Sequence, residues 1–310
     1  MAKQLRLITY NVDGLPETLN LADLPWPLKP LSWLYKLIKG TTIITINDNI
    51  GKEENIEKIA SYLKSSDADI IAVQEDFNFH DTMLSKLGNT YSCGTYLGGF
   101  DLSKIFSNTE WLTYFPLPRF KCDGMNIFTK NGRVSSSNEV IMPWIKSCGY
   151  FRHANDALTH KGFRFYQVTV DNETTIDVYI IHMDANFYTA ETVKAPKDLK
   201  VRKSQLKQLV NHIQYNGSNN PTIILGDTNS YNQYAWDTDN LKENLINPIN
   251  AIENLTIEEA IPDNFTDCDR IYVINNKSAK NRIRVTNCHF DKAMGDFSDH
   301  IPLIAEIEID

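Results

Sequence analysis

Short apolar runs bounded by polar residues alternate along this chain with stretches in which apolar residues recur every three or four positions. Leu5-Arg6-Leu7-Ile8-Thr9-Tyr10 predicts a strand at 5–10, and Asp69-Ile70-Ile71-Ala72-Val73-Gln74-Glu75 predicts a strand buried on both faces. Ile56, Ile59, Ala60 and Leu63 keep helical spacing, which predicts a helix over 53–65. β-Formers gather at 124–129, 139–142, 163–170 and 175–182. A long helix is predicted at about 199–215, with Val201, Leu206, Leu209, Val210 and Ile213 on one face. A strand at 222–226, a hairpin over 269–288 turning near Ser278, and a closing strand at 301–309 complete the pattern. Helices interleaved with two groups of strands predict two packed sheets flanked by helices. No internal repeat, low-complexity tract or Gly/Ser linker divides the chain, so one domain over 1–310 is the simplest organisation.

Composition narrows the picture. With 42% hydrophobic residues the chain carries enough apolar material for a sizeable core. A net charge of -8 argues against a broad basic surface that grips nucleic acid through phosphates alone. It does not exclude a nuclease, because a bound divalent cation can dominate the field in an acidic cleft. The five cysteines include no C-x-x-C pair, which argues against a zinc ribbon or redox motif, and the odd count suits a reduced compartment. A symmetric hairpin over 269–288 would set Cys268 opposite Cys288, the one place that leaves a local disulfide open. The first strand begins almost at Met1, leaving no visible signal peptide, and no apolar run reaches the ~18 residues that span a bilayer. The expectation is a soluble, cytoplasmic protein, although a trimmed secreted precursor would read the same way.

Candidate chemistry sits where predicted strands end. Ile223-Ile224-Leu225-Gly226-Asp227-Thr228-Asn229 breaks from a buried strand into two polar ligands, and Ser298-Asp299-His300 precedes the last apolar strand. Asn11 and Glu75 close two earlier strands in the same manner. A carboxylate such as Glu75 suits a hard cation that takes oxygen ligands. If the extended conformation continues past Gly226, Asp227 and Asn229 point the same way. Asn229 can then donate to a phosphate oxygen while Asp227 positions the attacking water or a metal. His300 suits a general base, since a neutral imidazole accepts a proton near pH 7. Oxygen and nitrogen donors held at rigid strand ends point to a divalent-metal phosphoesterase.

Six segments in order carry a resemblance: Thr9-Tyr10-Asn11-Val12, Val73-Gln74-Glu75, Ile181-His182-Met183-Asp184, Gly226-Asp227-Thr228-Asn229, Asp269-Arg270-Ile271 and Ser298-Asp299-His300. Together they resemble the endonuclease/exonuclease/phosphatase (DNase I-like) superfamily, over nearly the whole chain and nearest to its sphingomyelinase-type members. The resemblance implies a four-layer α/β sandwich of two mainly antiparallel sheets flanked by helices, with the site along one edge of the sheets. It implies Mg2+ held by Asn11 and Glu75, with Mn2+ or Ca2+ as alternatives. Asp299 becomes a further metal or water ligand, Asp269 the carboxylate partner of His300, and His182 a phosphate contact in the transition state. Asp184 and Asn186 are secondary candidates. Lys161-Gly162-Phe163 resembles a K-G segment of sphingomyelinase-like members, and reads equally as a turn before a strand.

Within a superfamily of nearly constant chemistry, insertions choose the substrate. The largest here covers about 15–50, and its segment Trp26–Lys39 mixes aromatics, leucines and lysines with no acid. Leu34, Tyr35 and Ile38 share a helical stripe beside Lys29, Lys36 and Lys39, a composition that suits an interfacial helix making peripheral membrane contact. A helix packed on the protein's own core is the competing reading. A nuclease needs a basic, aromatic-studded groove, and the basic stretch Lys194–Lys207 lies on a helix with acids nearby. Cys268-Asp269-Arg270-Ile271 is similar to inositol-polyphosphate 5-phosphatases, but Ser230 stands where that family carries an arginine. The sequence therefore points to a Mg2+-dependent phosphodiesterase acting on a phospholipid head group. A DNase I-like endonuclease acting on nucleic acid is the alternative. An inositol-polyphosphate phosphatase or an idle binding protein on the same scaffold ranks lower.

Overall fold

The computed structural model describes residues 2–14, 52–77, 79–97, 122–147, 159–185, 196–262, 267–294 and 297–310, with short pieces of 18–45 and 100–120. In chain order the strands are β1 Lys3–Asn11, β2 Thr18–Asn20, β3 Ile43–Thr45, β4 Ile70–Gln74, β5 Tyr91–Cys93, β6 Phe100–Asp101, β7 Arg119–Phe120 and β8 Asn126–Lys130. They continue as β9 Val134–Pro143, β10 Gly162–Val170, β11 Thr174–His182, β12 Thr222–Asp227, β13 Leu255–Glu259, β14 Asp269–Asn276, β15 Ile283–Phe290 and β16 Leu303–Ile309. The helices are α1 Lys52–Ser65, α2 His80–Leu87, α3 Pro196–Asn216, α4 Ala235–Leu241 and, after a π-helical turn at Lys242–Ile246, α5 Asn247–Asn250.

Two six-stranded sheets form the centre, ordered β15-β16-β1-β4-β8-β5 and β13-β14-β12-β11-β10-β9. Each is antiparallel apart from one ladder, β1 with β4 and β11 with β12. The expected four-layer DNase I-like sandwich is what the chain forms. Strand parity explains the layers. Leu5, Leu7, Ile70 and Ala72 of the first sheet pack between the sheets against Val178, Ile180, Ile223, Leu225, Ile271 and Val273 of the second. The alternate residues face helices: Ile8, Tyr10, Ile71 and Val73 meet α1 and α2, while Tyr179, Ile181, Ile224 and Tyr272 meet α3 to α5. On α1 the predicted stripe Ile56, Ile59, Ala60 and Leu63 is the buried one. Leu241, Leu245 and Ile249 stay on one side through the π turn.

The expected hairpin over 269–288 does not form. β14 is flanked on both edges, by β12 and β13, so it has no free ladder to offer β15. The Asn275 side chain instead takes both backbone groups of Ile283, at 2.8 and 2.7 Å, and hands the chain across to the other sheet, where β15 pairs with β16. Cys268 and Cys288 are accordingly free thiols. Most of the insertion at 15–50, including Trp26, Leu34, Tyr35 and Ile38, lies outside the described residues, as do Asn186 and Lys194.

Candidate active site

The two parallel ladders place their carboxyl ends along one edge of the sandwich. Register sets Asn11 beside Gln74, His182 beside Asp227, and Asp227 beside Asp269. β16 pairs antiparallel with β1, Leu303 against Thr9, which delivers the segment 298–300 to the end of β1. Asn11 continues the inward row of Leu5 and Leu7, His182 that of Val178 and Ile180, Asp227 that of Ile223 and Leu225, and Asp269 that of Ile271 and Val273. On four strands, then, the inter-sheet row turns from apolar to polar at the mouth of the sandwich.

Glu75 has the opposite parity and reaches the site by a backbone turn, with φ +61 where β4 ends. The chain crowds it closely: a Cβ on Gly14 would lie 2.3 Å from the Glu75 carbonyl oxygen. Gly226, at φ +142, lets β12 press against β11, since a Cβ there would meet Ile181 O at 2.0 Å. The strand ends at Asp227 rather than continuing, and Asn229 returns in the left-handed region at φ +47. Asp227 and Asn229 therefore converge through an Asx-type turn, not through extended spacing. The Asn229 backbone N–H donates to Asp227 Oδ1 at 2.7 Å. Its side-chain Nδ2 donates to Asp227 Oδ2 at 3.1 Å and to Met183 O at 2.8 Å. Through these bonds Asn229 braces Asp227.

Asn11 Nδ2 lies 3.3 Å from Glu75 Oε1 and 3.2 Å from Asp227 Oδ2. His182 Nε2 stands 3.6 and 3.4 Å from the same two oxygens. Neither ring nitrogen of His182 has a hydrogen-bond partner among the described residues. Burial holds its pKa well below 6.5, aided by Lys161, so the ring is neutral. His300 Nδ1 meets Asp269 Oδ2 at 2.5 Å, leaving Nε2 toward the mouth, 3.9 Å from both Asp227 Oδ2 and Asp299 Oδ1. Burial would lower the His300 pKa, but the Asp269 carboxylate outweighs it and raises it well above 6.5. Burial likewise works against Asp227, yet His300 and its other neighbours hold it at about 2. Glu75 is pushed up to about 7 by burial. Asp299 is largely exposed at the rim. Asp184 is buried, its N–H directed to Gln205 Oε1 of α3 at 3.2 Å.

Four residues carry more of the site than their sequence signals suggest. Lys161 is buried, and its ammonium acts on Glu75, His182 and Asp227 alike. Gly162 beside it is obligatory, since a Cβ would sit 2.2 Å from Met142 O. Trp144 Nε1 donates to His182 O at 2.7 Å. Ser298 Oγ donates to Asn11 O at 2.7 Å and accepts from His300 N–H at 3.1 Å, pinning the base to β1.

The donor set fits a hard divalent cation at Glu75. Glu75 is sunk far enough into the site to be pushed up to about 7 despite Lys161, and a hard cation would offset that desolvation. Asn11 Oδ1 accepts from Asp13 N–H at 3.0 Å, and a half-turn of its amide would present that oxygen to the ion instead. Asp299 is near enough to raise the Glu75 pKa. A second group, Asp267, Cys268, Asp269 and His300, gathers one donor atom each within 4.8 Å of one another. Its thiol makes it a poor site for Mg2+.

No protein-family model matches the chain. A sphingomyelinase of Mycobacterium tuberculosis is 25% identical over 224 residues, 72% of this chain and 34% of that protein. The chain thus spans about a third of the length of the curated relatives it matches. Among solved structures, a beta toxin mutant from Staphylococcus aureus with bound magnesium ions superposes with TM-score 0.61 at 17% identity, covering 98% of this chain and 99% of the other. An endonuclease/exonuclease/phosphatase from Bacteroides vulgatus superposes with TM-score 0.59 at 12% identity, covering 99% and 100%.

Proposed function

We propose that this chain, a member of the endonuclease/exonuclease/phosphatase superfamily by fold and by sequence match, is a metal-dependent phosphodiesterase that releases the head group of a phospholipid, as sphingomyelinases do. The observation that carries the reaction is the His300–Asp269 pair facing His182, Asp227 and Glu75 across one mouth. Asp269 holds Nδ1 of His300, so Nε2 is the nitrogen turned toward the attacking water, and it takes that proton in the fraction of molecules whose ring is neutral. Asp227, ionised and braced by Asn229, orients that water. Neutral His182 and the Lys161 ammonium are the donors for phosphoryl oxygens as charge builds on them. A divalent cation held by Glu75 and Asn11, with Asp299 as a further ligand, supplies Lewis-acid neutralisation of that charge.

Exposed apolar side chains support the lipid substrate. Trp33 and Leu37, one helical turn apart, are 65% and 62% exposed, and Lys36 beside them is exposed as well. That exposure favours the interfacial reading of 26–39 over packing on the core. Leu97, Ile145 and Ile261 are also exposed, on the segments that follow β5, β9 and β13, all of which run toward the catalytic edge. Among the described residues no helix is long and apolar enough to cross a membrane, so the contact would be peripheral. The test is a Mg2+-dependent panel of sphingomyelin liposomes, plasmid DNA and inositol phosphates, with EDTA as control. Release of phosphocholine is expected; nicking of plasmid without lipid turnover would replace this reading with the endonuclease.

A further inference from the structure

The group Asp267, Cys268, Asp269 and His300 is unlike the hard-cation site beside it. It offers one sulfur, one imidazole nitrogen and two carboxylate oxygens, all within 4.8 Å of one another. Three of its members are buried and Asp267 is half-buried, which leaves an approach from solvent. Asp269 is fully buried, yet its Oδ1 has no hydrogen-bond partner among the described residues, the other oxygen being taken by His300. The cluster thus includes a fully buried carboxylate with one oxygen left without a hydrogen-bond donor, which a cation would answer. The backbone is rigid there: Cys268 O accepts from Thr228 N–H at 3.1 Å and from Thr228 Oγ1 at 2.7 Å, while Cys268 N–H donates to Asp267 Oδ1 at 2.7 Å.

We propose that these four residues form an inhibitory site for a thiophilic divalent cation, zinc above all. Donors around a tetrahedral zinc lie about 3–4 Å apart, so a small contraction of the cluster completes the shell. Binding displaces the Cys268 thiol proton and the proton shared by His300 and Asp269, and both go to solvent. The thiolate selects against Mg2+ and Ca2+, which prefer oxygen. Because His300 is the base of the reaction proposed above, zinc here silences hydrolysis without touching Glu75 or Asn11. That consequence rests on the proposed reaction, whereas the site itself does not.

The test reads the metal and not the activity. Metal-free protein titrated with Co2+ should develop a near-ultraviolet thiolate-to-cobalt charge-transfer band. Stoichiometric Zn2+ should erase it, and a hundredfold excess of Mg2+ should leave it unchanged. Cys288→Ser should keep the band and Cys268→Ser should lose it. Absence of the band in the unmodified chain, or its survival in Cys268→Ser, overturns the proposal. Should Cys268→Ser fail to fold, X-ray absorption on the zinc-loaded unmodified chain decides: one sulfur at about 2.3 Å supports the site, and an oxygen-nitrogen shell alone refutes it.

Discussion

Two clusters of buried charge lie along the catalytic side of the same pair of sheets, and they differ in whether each charge is answered. Around Arg164 the charged groups have their partners. Nε and Nη2 reach the two oxygens of Asp123 at 2.7 and 2.6 Å, and Nη1 reaches Glu139 at 2.9 Å and Thr95 O at 2.5 Å. Tyr166 OH donates to Glu139 at 2.7 Å. The network ties β9 and β10 of one sheet to the segment that precedes β8 of the other, and it is closed. Around Glu75 and Asp227 the accounts stay open: His182 has no hydrogen-bond partner on either ring nitrogen among the described residues, Asp269 Oδ1 has none, and burial pushes Glu75 up to about 7. A closed network holds a fold together; an open one is arranged for something that arrives later.

The sharpest way to separate the two is to remove one central residue of each. His300→Ala should lower kcat on bis-p-nitrophenyl phosphate by about 10^2–10^4, the range of a positioned general base, while a cooperative unfolding transition remains. Activity within a few fold of the unmodified chain would remove His300 as the base. Arg164→Met should act on the fold instead, costing on the order of 3–5 kcal/mol because it strands Asp123 and Glu139. A denaturant midpoint corresponding to a loss below about 1 kcal/mol would show that the network is not closed in solution.

Acid should reveal a smaller difference. Burial alone would raise Glu139, but its bonds from Thr95 and Tyr166 and the Arg164 charge outweigh it and hold it below the usual 4.5. The stabilising contribution of such a carboxylate is complete above its unfolded value and is lost as pH falls through the lower folded value. Unfolding measured from pH 6 down to pH 3 should therefore show an acid slope that Glu139→Gln reduces. An unchanged slope in that variant would assign acid sensitivity to other carboxylates.

Much of this was written in the pattern of residues, for a physical reason. His182, Asp227 and Asp269 each continue an apolar alternation by one further step, and Asn11 does so one step after Thr9, so the end of the hydrophobic row marks the end of the strand and the position of the site together. Ser298-Asp299-His300 was legible because the strand after it is apolar. Lys161 and Trp144 were less so, since a lysine before a strand and a tryptophan after a proline gain meaning only from the strand laid beside them, here β9 against β10. The supposed hairpin failed on the same ground: the turn near Ser278 is local, but the occupation of both edges of β14 is not. The helices over 235–250 were hidden by polar residues that burial later explains, such as Asp237 bonded to Arg202 at 2.7 Å in the interior. Asn229 lies beside Asp227 through a left-handed turn, which spacing along the chain does not show.

The metal dependence of hydrolysis at the open cluster tests the central claim most directly. Hydrolysis of bis-p-nitrophenyl phosphate should appear with Mg2+, vanish with EDTA, and return when Mg2+ is restored. Glu75→Gln should stay inactive at Mg2+ concentrations that saturate the unmodified chain. Hydrolysis that persists in EDTA, or that survives in Glu75→Gln, would contradict the account.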